Sequence, residues 1–171
     1  PIKQIKMDKH QEYWNILNST QEGIRYSDTK ATIILTLYGV ILTIIYSNSA
    51  QVLTALETSK PVLWFSIISI MCAAISILYG FLCINPRLKN NNAKSILYFG
   101  HIQKKFTKYE DYNLKAEEIL SDENLYSSEL AEQIHSNSII AWKKFTNVTW
   151  CIRFLFACIV FMLVSLIFYL F

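Results

Sequence analysis

The sequence predicts an all-α fold: a helical integral membrane protein with three transmembrane helices and a cytoplasmic helical segment between the second and third. Three observations carry this expectation. Of the 171 residues, 53% are hydrophobic and 17% charged, which is more apolar and less charged than a soluble domain of that length. The apolar residues collect in three spans, Ala31 to Tyr46, Pro61 to Ile84 and Trp150 to Phe171. No stretch has the two-residue alternation of a strand, and no internal repeat is present.

Residues 1–30 read as an N-terminal cytoplasmic helix. Ile2, Ile5, Ile16, Leu17 and Ile24 interleave with polar residues at loosely helical spacing, and the helix leads straight into span one. Residues 31–85 hold the first two transmembrane helices and a short outer connection over 47–60. A bilayer core needs about 20 largely apolar residues as a helix. Span one is shorter and carries Thr32, Thr36 and Thr43, so flanking residues complete its crossing. It follows a long polar segment with no small-residue cleavage site, unlike a signal peptide. Span two ends at Ile84-Asn85-Pro86, where the proline restrains Asn85 and predicts a kink or stop.

Residues 86–149 form the helical segment between spans. Asn90, Asn91 and Asn92 mark a polar break. Ile96, Phe99, Ile102, Phe106 and Tyr109 then recur at steps of three or four, as one helical face does. Thr107 and Glu110 have capping-box spacing and predict a restart there. Ser121-Asp122-Glu123 is another start signal. From Asp122 one long helix is expected to run into span three, residues 150–171, without Pro or Gly.

The placement of charge orients the chain. Lys3, Lys6, Lys9, Arg25 and Lys30 precede span one, most other cations lie in 86–149, and the first inter-span loop has Lys60 beside Glu57. Excess Lys and Arg marks the cytoplasmic side, which puts the N-terminus and the 86–149 segment inside. The Asn18-Ser19-Thr20 and Asn147-Val148-Thr149 glycosylation patterns then fall on that same side and are discounted. Cys72, Cys83, Cys151 and Cys158 sit in or beside spans without CxxC spacing, and read as small apolar residues. His10, His101 and His135 are too scattered to argue for a metal, and no catalytic constellation is visible. Acidic residues dilute the basic ones too far for nucleic-acid binding.

Four constellations stand out. Ser66, Ser69, Ala73, Ser76, Gly80 and Cys83 form a small-residue seam on span two, read either as packing within one subunit or as an oligomer or pore seam. Thr32, Thr36, Gly39, Thr43 and Ser47 form a looser polar stripe on span one, whose hydroxyls can bond back to the helix or line a pore. Asp28 and Lys30 lie at a membrane boundary, where charge is costly unless solvated or paired, and Asp28 caps the span helix or pairs with a cation from 86–149. Tyr98-Phe99-Gly100-His101-Ile102, with Arg87, Lys104 and Lys105 near in sequence, combines aromatic faces with cations, as a nucleobase and a phosphate require. Aromatics at this spacing are also ordinary core. On span three, Phe154, Phe156, Phe161, Phe168 and Phe171 suit a lipid-facing surface, and Arg153 reads as an anchor that snorkels to the headgroups.

The order of several short motifs resembles that of the transmembrane effectors of Pycsar, the bacterial pyrimidine cyclase system for antiphage resistance. They are Asp28-Thr29-Lys30-Ala31, Pro86-Arg87, Ser95 to Ile102, Tyr109, Gln133-Ile134-His135-Ser136-Asn137-Ser138 and Lys144-Phe145. Position 98 departs from the family's expected phenylalanine by a tyrosine, which still stacks. The resemblance implies a homo-oligomeric effector in the bacterial inner membrane that binds cyclic CMP or cyclic UMP from an adjacent cyclase and impairs membrane integrity, causing abortive infection. It makes 86–149 the sensor segment and Arg87, Tyr98, Phe99, His101, Lys104 and Lys105 its candidate ligand contacts. The alternative is a membrane scaffold or adaptor whose cytoplasmic segment docks a protein partner.

Overall fold

The computed structural model describes residues 9–85 and 95–170, without the side chains of Lys9, Thr58 and Phe99. Its helices are α1 (Lys9–Ser47), α2 (Ser49–Thr58), α3 (Lys60–Ile84), α4 (Phe99–Lys105), α5 (Tyr109–Ser121) and α6 (Glu123–Leu170), and the described residues contain no strand. Three of these, α1, α3 and α6, are long and apolar enough to cross a membrane.

The described residues divide into two units, one of 9–25 with 95–142 and one of 26–85 with 143–170. The sequence boundaries at residues 30 and 149 fall a turn or two inside the second unit. Both α1 and α6 run unbroken across the division. At 1.5 Å per residue the 48 residues of α6 extend about 72 Å, more than twice a bilayer core of about 30 Å. Its polar first half is therefore too long to share the membrane with its apolar second half.

In the membrane unit, α1, α3 and α6 pack along small side chains. Ala31, Cys83 and Val148, one from each helix, are all buried together. Ile34 and Tyr38 of α1 bury against Cys151 and Cys158 of α6, with Ala73 and Ile77 of α3 closing the cluster. The outer faces are apolar: Ile33 and Val40 on α1, Ile70 and Phe81 on α3, and Phe156 and Ile167 on α6 are exposed, as helix surfaces solvated by lipid chains require.

The α3–α6 seam has a regular register. Ser165 donates to the Val62 carbonyl at 3.3 Å, Ser69 to Cys158 at 3.1 Å and Ser76 to Cys151 at 2.7 Å. The Cys83 thiol lies 3.5 Å from the Lys144 carbonyl. Val62, Ser69, Ser76 and Cys83 are seven apart on α3, and Ser165, Cys158, Cys151 and Lys144 are seven apart on α6, in opposite order. A strict seven-residue repeat holds two antiparallel helices in one continuous contact. Gly80 allows the closest approach: a Cβ there would stand 3.1 Å from Leu35 and 3.5 Å from the Cys151 sulfur. Ser66 meets Ser165 at 3.1 Å. The hydroxyls of Ser66, Ser69 and Ser76 are thus used within the chain.

Several local expectations change. Residues 49–58 of the outer connection are a helix, α2, in a stretch that has no Gly or Pro and carries Val52, Leu53, Ala55 and Leu56. The 96–109 face is not one helix: Ile96 is buried in a turn before α4, and Phe106 leaves the helix in an extended conformation. The restart after it begins at Tyr109 with Lys108 as N-cap and no side-chain cap, so the Thr107–Glu110 box does not form. Asp122 does cap α6, accepting from the backbone N–H groups of Asn124 at 2.8 Å and Leu125 at 3.2 Å. α3 stops at Ile84, with Asn85 at φ −55°, ψ 123°, the conformation a following proline favours. The Asn90–Asn92 break and Pro86 itself lie outside the described residues.

The span-three phenylalanines divide. Phe154 stacks on Tyr79 at 6.1 Å, and Phe161 and Phe168 stack on Phe65 at 6.4 and 5.5 Å, so these three line the α3 contact. Phe156, on another face, is 69% exposed, and Phe171 lies outside the described residues. Arg153 lies over the Trp150 ring at 5.0 Å.

Candidate functional site

The unit of 9–25 with 95–142 begins, after the undescribed segment, in a tight turn. The buried Ser95 hydroxyl accepts the Leu97 N–H at 3.1 Å, and its carbonyl accepts the Tyr98 N–H at 3.1 Å. The Ile96 N–H donates to the Glu129 carboxylate of α6 at 2.7 Å. This ties the start of α4 to α6. One turn earlier on α6, Tyr126 lies with its ring 5.3 Å from that of His10 of α1, and its hydroxyl accepts the Trp14 indole N–H at 2.8 Å.

Tyr98 caps the start of α4 and turns its ring back over Gly100: a Cβ on Gly100 would come within 2.8 Å of that ring. The glycine is needed for close approach, since its φ is not positive. His101 sets its ring edge-on to Phe106 at 6.3 Å, and Phe106 sets its own edge-on to Tyr112 of α5 at 5.5 Å. Lys104 and Lys105 occupy the last turn of α4, where free carbonyls carry negative partial charge. That position alone accounts for two lysines there. Lys105 also lies 5.4 Å from the Phe106 ring centre.

Of the sequence candidates, α4 therefore gathers Tyr98 and His101 at its first turn and Lys104 and Lys105 at its last. The Phe99 side chain and all of Arg87 lie outside the described residues. An open groove of about 320 Å³ lies beside Lys105, lined also by Phe106, Asp111, Leu114, Lys115 and Glu118. Its two lysines are balanced by two carboxylates, and Lys115 is already paired with Glu118 at 2.7 Å. Such a groove has no net charge with which to attract a phosphate.

A second set of polar residues lies on α6 and includes Gln133, Ser136 and Asn137 of the Gln133 to Ser138 motif. Ser127, Gln133, Ser136 and Asn137 are all buried on α6, on the face that also buries Leu130. Gln133 donates through Nε2 to Asn137 Oδ1 at 3.2 Å. The buried atoms Gln133 Oε1 and His101 Nε2 have no hydrogen-bond partner among the described residues. The signal was present in the sequence: Ser136 and Asn137 follow Gln133 at three and four residues, where an amphipathic helix should turn apolar residues inward.

At the boundary motif, in the membrane unit, Asp28 is paired. Lys144 Nζ donates to Asp28 Oδ1 at 2.5 Å, with the Lys144 side chain 6% and the Asp28 side chain 36% exposed. The Cys83 sulfur lies 3.6 Å from the Ser27 carbonyl, so residues of α1, α3 and α6 meet at this point. Lys30 turns onto the Tyr26 ring at 4.1 Å. On α1, Thr32, Thr36 and Thr43 donate to the carbonyls four residues back, and all three remain exposed.

Together these features define a helical membrane protein whose described residues form one apolar and one polar helical unit. A family model described as the Pycsar effector protein domain matches residues 12–171, and the chain belongs to that family. It is thus an effector of Pycsar antiphage defence. Among curated proteins and among solved structures, nothing matches the chain.

Proposed function

We propose that this protein is a nucleotide-gated effector of the bacterial inner membrane. Its polar unit binds cyclic CMP or cyclic UMP made by an adjacent cyclase, and the bound state impairs membrane integrity, so that the infected cell stops growing before phage is released. The N-terminus and the polar unit face the cytoplasm, where the messenger would be made and where the excess of Lys and Arg belongs. Several copies assemble to act. The action is physical, and no catalysis is assigned to the chain.

One observation carries this reading: in a chain of the Pycsar effector family, α6 runs without a break from the polar unit into the membrane unit. A ligand shifts a conformational equilibrium only through its different affinity for two states. α6 contributes residues to both units, so the two are joined through the chain of a single helix. Tyr98 and Phe99 supply stacking surface, and Arg87, His101, Lys104 and Lys105 supply donors for phosphate.

Calorimetry on detergent-purified protein tests the binding half, with cyclic AMP as the control. Selective binding of a cyclic pyrimidine nucleotide is expected. Folded protein that binds neither pyrimidine nucleotide would overturn the reading.

One feature favours the second reading, a scaffold or adaptor. Tyr109 and Leu120, eleven residues apart and so on one face of α5, are 73% and 59% exposed, apolar side chains fit to meet a protein. That reading predicts stable capture of a partner and no response to nucleotide.

A further inference from the structure

We infer that Gln133 of α6 is a ligand-reading residue, its side-chain oxygen accepting an N–H from the base of the bound nucleotide, with His101 Nε2 of α4 as a second polar contact. The inference rests on the nucleotide reading above and adds to its contacts Gln133, which the stacking-and-cation argument did not include.

Gln133 is 6% exposed, and its Oε1 has no partner among the described residues. Leaving a buried acceptor unpaired destabilises the free protein. A helix that needed only to pack would place a leucine there, as it does one turn earlier at Leu130, which is 0% exposed. The amide is also oriented. Its Nε2 is committed to Asn137 Oδ1 at 3.2 Å, which leaves the oxygen as the free end.

His101 repeats the pattern in the same unit. Its Nε2 is buried and unpartnered, while its ring is held edge-on against Phe106. An imidazole nitrogen donates or accepts according to its tautomer, so it suits a phosphate oxygen or a base carbonyl. A pyrimidine nucleotide brings matching groups: the 4-amino group of cytosine or the ring N–H of uracil for Gln133, and anionic oxygens for His101. A site built to hydrogen-bond a ligand keeps such unpaired groups in the free protein and satisfies them on binding.

The test is calorimetry with cyclic CMP and cyclic UMP on the full-length wild type, Gln133→Met and Gln133→Glu, alongside thermal unfolding of each without nucleotide. Gln133→Met keeps the length and removes the acceptor, and should lose about tenfold in affinity. Gln133→Glu keeps an oxygen acceptor and should stay within a few-fold of wild type. His101→Phe, which preserves the ring contact with Phe106, should lose affinity like Gln133→Met. A folded Gln133→Met that binds like wild type overturns the inference and leaves the nucleotide reading standing. If Gln133→Met does not fold, a folded Gln133→Glu that has lost binding overturns it equally. A wild type that binds no nucleotide overturns both.

Discussion

Lys144 of α6 places its ammonium on the Asp28 carboxylate of α1 at 2.5 Å, with the lysine side chain 6% exposed. A lysine is rarely buried this far without a paired anion. The pair sits near Ala31, Cys83 and Val148, where α1, α3 and α6 pack on small residues. It is a directional contact between α1 and α6 in the membrane unit.

Asp28→Asn should destabilise the protein by about 3 kcal/mol, toward the lower end for a broken buried pair because the aspartate is partly exposed. Asp28→Leu with Lys144→Met should recover most of that loss, since apolar replacement of both partners removes the desolvation cost. Thermal unfolding of Asp28→Leu, Lys144→Met and the double, beside Asp28→Asn, checks this. Equal losses that simply add in the double would show the two residues to be energetically independent.

The seven-residue register of α3 on α6 leads to a prediction about size. Ser76→Ala removes one hydroxyl-to-carbonyl bond and should cost about 0.6 kcal/mol, the usual value for such a contact in a membrane protein. Gly80→Leu must displace Leu35 and Cys151 and should cost well over 1 kcal/mol through overpacking. Both should lower the unfolding temperature of the subunit in that order. If Gly80→Leu instead leaves stability intact and only dissociates an oligomer on a sizing column, the seam serves assembly.

Gly100→Ala should separate fold from binding. The added methyl meets only the far end of the Tyr98 ring, so stability should change by less than about 1 kcal/mol. The ring must move, however, and a displaced stacking face should cost about 1 kcal/mol or more in nucleotide affinity. Calorimetry showing unchanged affinity would remove Tyr98 from the site.

Asp122→Ala should cost about 1 kcal/mol by removing the N-cap of α6. Asp122→Asn keeps the acceptor and should be nearly neutral. Unfolding in detergent that ranks the two alike would show the cap to be unimportant.

The parts legible in the sequence were those set by one local rule. Apolar runs marked the three spans, the absence of Pro and Gly between Asp122 and Leu170 marked the long helix, and Asp122 marked its start. The parts not legible depend on partners distant in the chain. The span-two seam was visible, but its match to Lys144, Cys151, Cys158 and Ser165 was hidden, because two cysteines and a lysine do not look like one contact surface. The pairing of Asp28 with a cation was one of two options from sequence, and choosing Lys144 among nine basic residues of 86–149 needed the packing of α1 on α6. Phe106 fitted a helical period and yet ends α4, since periodicity is blind to where a short helix stops. Gln133 went unassigned because a polar residue in a polar segment draws no attention until its burial is known.

The central claim is that a cyclic pyrimidine nucleotide switches the membrane action of this chain. Dye release from liposomes containing the purified protein measures it most directly. The account predicts release on adding cyclic CMP or cyclic UMP and none with cyclic AMP or without nucleotide. Liposomes that stay sealed with a nucleotide that calorimetry shows to be bound, or that leak equally without one, would contradict it.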